Sequence, residues 1–387
     1  MNPICRKRAS FVHRVRPDSH KLLAFVVIIF VCLAPANAGA MQANEDGDVR
    51  AFFLKLFGKP PAPHNVAIII DSTAAMGNLD PQCKSRHLDC VLPGIQTLLS
   101  KLPPCKARIK GCGAAKGGNV AHPADKISLF TFPNVTVETA SDDYNCGNLN
   151  PTIERYSFPD PEASSYAPSG SPGTDATYEI VKYSSDYRTA NFTSVLNPDS
   201  DLVKAVNGVK GCRGLKTPGG VRTYFAGAIY AAQASVAAEQ AARPGSQNII
   251  IFMSDGEANS MRNQLERSAT NSGTYPSLVD ECGQAITAAK AATAAGTRVY
   301  SIADGAESSG CRSDMTGPYK GYSPCQTMQA IASSQPYFFS DGEQIGSTPP
   351  CLSATHPATD LRRVFKEIAK SIKADRPATP KSVGPAS

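Results

Sequence analysis

At 387 residues the chain can bury a sizeable core, and length alone allows one large domain or two ordinary ones. The formal charge of +6 suggests an anionic partner, but Arg6, Lys7, Arg8, Arg14, Arg16 and Lys21, offset by Asp18, already supply +5 of it within the first 21 residues. The remainder is close to neutral, which argues against nucleic acid as a partner.

The basic opening runs into an unbroken apolar stretch, Leu22 to Ala34, with the length of a signal-peptide core rather than a full membrane span. Small-residue cleavage sites follow at Ala38 and Ala40, so residues 1–40 read as an export signal. The alternative is a retained N-terminal anchor, whose basic flank would stay in the cytoplasm while the rest still crosses. Only in that case is the membrane a partner. Cys32 belongs to the apolar run, because "IFVC" lacks the small residue expected before a lipidated cysteine. Ten further cysteines follow, an even set that reads as disulfides in an exported chain. Zinc would need paired CxxC or Cys/His spacing, which does not occur. Pairing does not follow from sequence, although Cys83 with Cys90 and Cys105 with Cys112 make plausible local clips.

Residues 41–63 read as a spacer, in which "AFFLKLF" offers an apolar segment for packing or for a membrane surface. Strands and helices then alternate. "NVAIII" predicts a buried strand from Asn65, Val91, Ile95, Leu98, Leu99 and Leu102 share one helical face, and "ISLFTF" (Ile127–Phe132) predicts the next strand. After a gap come an Ala-rich helix with Phe225, Ile229, Ala232 and Val236 on one face, and a buried strand beginning at Asn248 and ending in "MSDG". A helix from about Leu278 to Ala294, the strand "RVYSI", a short helix after Cys325, the strand "YFF" and a helix carrying Leu361, Val364, Phe365, Ile368 and Ile372 complete the pattern. Apolar strands separated by helices imply a mostly parallel sheet with helices on both faces, a doubly wound α/β fold over residues 64–374.

The gap, about 133–220, is rich in Pro, Ser, Asn, Asp and Tyr and shows only short strand-like pieces such as "TYEIVKY". It is too long for a simple loop and reads as a long irregular but ordered insertion pinned by Cys146 and Cys212, either a recognition surface or a family-specific elaboration. Residues 375–387, rich in Pro and Ser, read as a disordered tail. The chain has no internal repeat.

Ligands of open α/β sheets bind at the carboxyl ends of the strands, beside the switch in strand order. Three segments plausibly reach that edge: Asp71-Ser72-Thr73-Ala74-Ala75, "TPGGVRTYFAGA" with Thr223 opening a helix, and "MSDGEAN" with Asp255 directly after a strand. Two carboxylates and threonine hydroxyls are the oxygen donors that a hard divalent cation prefers. The alternative is that Asp71 and Asp255 only cap turns.

The order strand-Asp-x-Thr, Gly-Gly-x-x-Thr and strand-Ser-Asp-Gly resembles a von Willebrand factor type A domain with its metal-ion-dependent adhesion site. That resemblance implies Mg2+ or Mn2+ held by Asp71, Thr73, Thr223 and, through water, Asp255. It places Ala75 where the family has a second serine ligand, and leaves Ser72 out of phase, pointing elsewhere. The stretches "CVLPGIQTLL", "YEIVKYSSDYRTANF", "LNPDSDLVKAV" and "GAIYAAQASVAAEQ", with the basic leader, further resemble bacterial TadG-like proteins of the tight-adherence (Flp) pilus assembly group. This second likeness implies a protein partner in the cell envelope or pilus machinery.

No Gly-x-Ser-x-Gly elbow, Walker loop, Gly-x-Gly-x-x-Gly or His-Glu-x-x-His occurs. His64, His87, His122 and His356 stand in loop-like contexts and read as solvated side chains. The chain is therefore expected to be a binding or adhesion module rather than an enzyme. A metal-independent assembly protein that lost its ion through Ala75 is the structural alternative. A metal-assisted hydrolase would need a base near the ion, and Glu257 is the one nearby candidate, more readily read as a turn residue.

Overall fold

From the N-terminal side the elements are β1 (His64–Asp71), β2 (Leu79–Asp80), β3 (Ser85–Arg86), α1 (His87–Lys101), β4 (Asp125–Thr136), β5 (Arg155–Tyr156) and β6 (Ala176–Ser184). They continue with α2 (Asp201–Ala205), α3 (Phe225–Ala242), β7 (Gln247–Ser254), α4 (Glu281–Ala294), β8 (Arg298–Ala303), α5 (Pro324–Ile331), β9 (Phe338–Ser340) and α6 (Leu361–Ala374). The computed structural model describes residues 62–105, 120, 123–138, 140–147, 155–156, 176–216, 223–256, 258, 281–305, 311, 314, 317–342 and 349–374. The leader, the spacer up to residue 61, the 375–387 tail, Cys112, His122, the Gly219–Gly220 turn and Glu257 lie outside them. No described helix is long and apolar enough to cross a membrane.

Among the described residues one sheet has seven strands, and its parallel part runs in the order β4-β1-β7-β8-β9. β1 is central, and every one of its eight residues is buried. Its side chains alternate between two cores, as a strand's must. Val66, Ile68 and Ile70 pack with α1 and α6, whereas Ala67 and Ile69 pack with α3, α4 and α5. Burial on both faces explains why "AIII" shows no polar alternation. This is the doubly wound, mostly parallel α/β fold that the alternation of elements predicts. The chain moves from β1 to β4 on one side and to β7 on the other, so the switch in strand order falls beside the carboxyl end of β1.

The long insertion is more regular than its composition suggests. "TYEIVKY" belongs to the nine-residue β6, which with β5 adds antiparallel pairing to β4. β4 itself continues through Pro133 to Thr136, beyond the predicted strand end at Phe132. Proline lacks a ladder N–H, and it is accommodated where the β4–β6 register slips between Phe130 and Val135. Cys146 and Cys212 form a disulfide across the insertion, and Cys83–Cys90, Cys282–Cys311 and Cys325–Cys351 are also bonded. Cys105 is disulfide-bonded as well. The amino edge of the sheet is closed by polar groups: His64 Nδ1 meets Asp125 Oδ1 at 3.0 Å, and Arg243 donates to the carbonyls of Pro123 and Ala124.

α6 is strongly amphipathic, with Leu361, Val364, Phe365, Ile368, Ala369 and Ile372 buried against α1 and Arg362, Arg363, Lys366 and Lys370 exposed. Close approach of the two helices depends on Gly94 of α1. A Cβ there would lie 2.4 Å from Phe365 Cδ2 and 3.3 Å from the Leu361 carbonyl oxygen. For Gly94→Ala, overpacking of about 1–3 kcal/mol opposes a helix-propensity gain of about 1 kcal/mol. The expected outcome is a net loss of about 1 kcal/mol in urea denaturation; a gain would show that the helices part without cost.

Candidate functional site

Asp71 is the last residue of β1 and is 1% exposed. A buried carboxylate needs several donors to stay charged. The Thr73 N–H donates to Asp71 Oδ1 at 2.8 Å, and the Ser254 hydroxyl, from the last residue of β7, donates to Oδ2 at 2.7 Å. The Thr73 hydroxyl and the Asp255 carboxyl also bond to Asp71. Thr73 takes extended backbone and leads into a single 3-10 turn, Ala74–Gly77. Asp71, Thr73 and Asp255 therefore converge on one point at the topological switch.

Ser72 points away, as its phase requires, with its hydroxyl donating to the Phe132 carbonyl at 3.0 Å. Ala75 lies exposed in the 3-10 turn and presents only a methyl group. Thr223 is buried two residues ahead of α3, whose first residue is Phe225. The Phe225 ring lies 5.3 Å from that of Phe132 and 4.9 Å from that of Phe252. Phe132 is the register partner of Asp71, so these rings set the start of α3 at the carboxyl edge of the sheet.

The electrostatics follow from crowding. Burial raises the Asp71 pKa above 3.8 despite four hydrogen bonds from Thr73, Ser254 and Asp255. Asp255 is pushed well above 3.8, first by burial and then by the negative charges of Asp71 and Asp304, with His87 opposing. Burial and mutual repulsion thus favour protonation of this pair, and a side-chain hydrogen bond joins Asp255 to Asp71. Two carboxylates and a neutral threonine hydroxyl form an oxygen donor set that fits a hard divalent ion, whose charge would offset the repulsion between the acids. Asp71, Thr73 and Asp255 would hold such an ion at its charged side, and Thr223 stands at the same edge.

Ser254, His87 and Asp304 join this edge, Ser254 and His87 without a local signal that marks them as participants, and two of the histidines expected in loops, His64 and His87, are instead in regular elements. His64 begins β1 and His87 begins α1; both are buried, and His87 Nδ1 lies 3.2 Å from Asp304 Oδ2. His356 stacks on Phe339 with ring centroids 4.0 Å apart. A signal for Asp304 was present, because Asp255-Gly256, Asp304-Gly305 and Asp341-Gly342 each directly follow a parallel strand. An aspartate at each of these strand ends faces the same edge as Asp71.

The doubly wound architecture, with Asp71 at its switch point, is the open α/β fold that the alternation of strands and helices predicts. No family model and no curated protein matches the sequence. Among solved structures, the chain is similar to the pilus adhesin SpaC from Lactobacillus rhamnosus GG, at 14% identity and a TM-score of 0.43, covering 82% of this chain and 32% of that one. It is also similar to proximal thread matrix protein 1 from the mussel byssus with a zinc-occupied MIDAS motif, at 11% identity and a TM-score of 0.32, covering 84% and 51%. A third is the manganese-loaded TRAP protein from Plasmodium vivax, at 14% identity and a TM-score of 0.31, covering 63% and 58%. This chain thus spans about a third of SpaC and little more than half of the other two.

Both carboxyls bind protons more tightly in the folded state than in the unfolded one. Their contribution to stability is therefore present below the ordinary value of 3.8 and is lost as pH rises through the raised folded values. In chelator, the urea midpoint should fall as pH rises through that window, and Asp255→Asn should flatten the fall. An unchanged slope in the variant would show that the pair is not strained by its charge.

Proposed function

We propose that this chain is an exported von Willebrand A-type binding module, and not an enzyme. It engages a protein partner of the cell envelope or pilus machinery in pilus assembly or surface attachment. The single observation that carries the reading is the Asp71 carboxylate, buried at the switch point and held by Thr73 and Ser254 with Asp255 against it. A divalent ion, Mg2+ or Mn2+, held by Asp71, Thr73, Thr223 and Asp255 leaves a coordination position for a carboxylate of the partner. The four disulfides between described cysteines and the apolar leader support export beyond the cytoplasm. The likeness to TadG-like proteins supports the pilus assignment.

One observation favours a second reading. Ala75 contributes no oxygen, and the Asp71 carboxylate is already satisfied by protein donors. In that reading the domain is a metal-independent assembly protein of the envelope.

Isothermal titration of the purified chain with Mn2+ and Mg2+ separates the two. The binding-module reading expects uptake that Asp71→Ala abolishes and that Ala75→Ser tightens by about tenfold, or ~1.4 kcal/mol. No heat and no thermal stabilisation at about millimolar ion would leave the metal-independent reading standing.

A further inference from the structure

A second cluster lies beside the Asp71–Asp255 pair and is built from different elements. After Asn78 the chain folds back in the β2–β3 ribbon, where Asp80 pairs with Ser85 and Lys84 takes a φ of 58° at the turn. The His87 N–H returns to the Asn78 carbonyl at 3.1 Å, and the Cys83–Cys90 disulfide ties the turn to the first residues of α1. This small closed loop brings Asp80 and His87 together. Asp304, the residue after β8, meets them from the sheet.

One oxygen or nitrogen from each of Asp80, His87 and Asp304 lies within 4.8 Å of the others, and the three residues are 2%, 7% and 0% exposed. Asp80 Oδ1 accepts the N–H groups of Gln82 at 2.6 Å and Cys83 at 3.0 Å, while its Oδ2 has no partner among the described residues. His87 presents Nδ1 to Asp304 Oδ2 at 3.2 Å. The three residues thus bring one imidazole nitrogen and two carboxylates together in one buried volume.

We infer that Asp80, His87 and Asp304 form a second divalent-metal site, with the donor chemistry of Zn2+ rather than of Mg2+ or Ca2+. An imidazole with two carboxylates suits a borderline transition ion, whereas the harder ions prefer oxygen alone. Donors about 2.0–2.2 Å from a tetrahedral ion lie roughly 3.3 Å apart, close to the 3.2 Å between His87 Nδ1 and Asp304 Oδ2. The two backbone N–H groups on Asp80 Oδ1 fix that carboxylate, as outer hydrogen bonds fix metal ligands generally. A cavity of about 360 Å³, lined by Asp80 together with Asp341, Asp360 and Arg362 among others, reaches the cluster at Asp80. The site shares no ligand with the one at Asp71, so it stands whether or not that one holds an ion.

The test is titration of the chelator-treated full-length chain with Zn2+ by calorimetry and with Co2+ by visible absorption. The expected result is a Co2+ spectrum of a low-coordinate, histidine-ligated site. It should persist in Asp71→Ala, and His87→Gln and Asp304→Asn should each weaken Zn2+ binding by at least about tenfold. If His87→Gln does not fold, Asp80→Asn, which keeps its Oδ1 acceptor, carries the same expectation. Absence of Zn2+ binding in the native chain, or unchanged Zn2+ affinity and Co2+ spectrum in a folded His87→Gln or Asp80→Asn variant, overturns the proposal and leaves a buried histidine–carboxylate pair.

Discussion

The buried Asp71 carboxylate is the constraint around which the carboxyl edge of this domain is arranged. It ends β1, a strand covered on both faces and flanked on both sides, at the point where the sheet reverses its order. A negative charge there is tolerated only if donors reach it from neighbouring elements. Thr73 turns back to supply two of them, and Ser254 reaches across from β7. These bonds link β1, its following turn and β7 into one unit, and they draw Asp255 against Asp71. Burial raises both pKa values and the charge of Asp71 raises that of Asp255 further, a repulsion that a divalent ion would relieve.

Around this pair the domain accumulates further negative charge. Asp304 and Asp341 follow β8 and β9, and their carboxylates are bonded into the neighbouring loops: Asp304 to His87, and Asp341 to the Gly305 N–H at 3.0 Å. His87 is the imidazole that meets Asp304 within that group, at 3.2 Å. Its position at the first residue of α1 is secured by a hairpin and a disulfide rather than by the sheet. Such a covalent clip limits how far Asp80 and His87 can separate in the unfolded ensemble as well as in the folded one.

The insertion shows the same economy of means. Its composition suggests irregular chain, yet part of it becomes an edge strand, because β4 would otherwise offer unpaired N–H and C=O groups along one side. Arg188, from the segment after β6, donates to the Leu102 carbonyl at 2.8 Å and to the Asn191 carbonyl at 2.9 Å, and bonds the Thr193 carbonyl as well, so the loop is fastened to the end of α1 by one guanidinium. The Cys146–Cys212 bridge holds the other side.

Periodicity identified the parallel strands and the main helices that cover them. Uniformly apolar "AIII" could only be a strand buried on both faces, and the spacing of Leu361, Val364, Phe365, Ile368 and Ile372 could only be one face of a helix. Local order also located Asp71, Thr73 and Asp255, because a carboxylate directly after a buried strand must lie at the sheet's edge. What the sequence did not determine is which residues meet across elements. Ser254 is an ordinary strand-end serine until β7 lies beside β1, and the long β6 was hidden because its pairing with β4 is non-local. His87 and Asp304, far apart in the chain, become neighbours only when the hairpin before α1 and the end of β8 reach the same edge. Side-chain period and turn chemistry are local properties and are written in the chain; the company each carboxylate keeps is set by strand order, which only the tertiary structure decides.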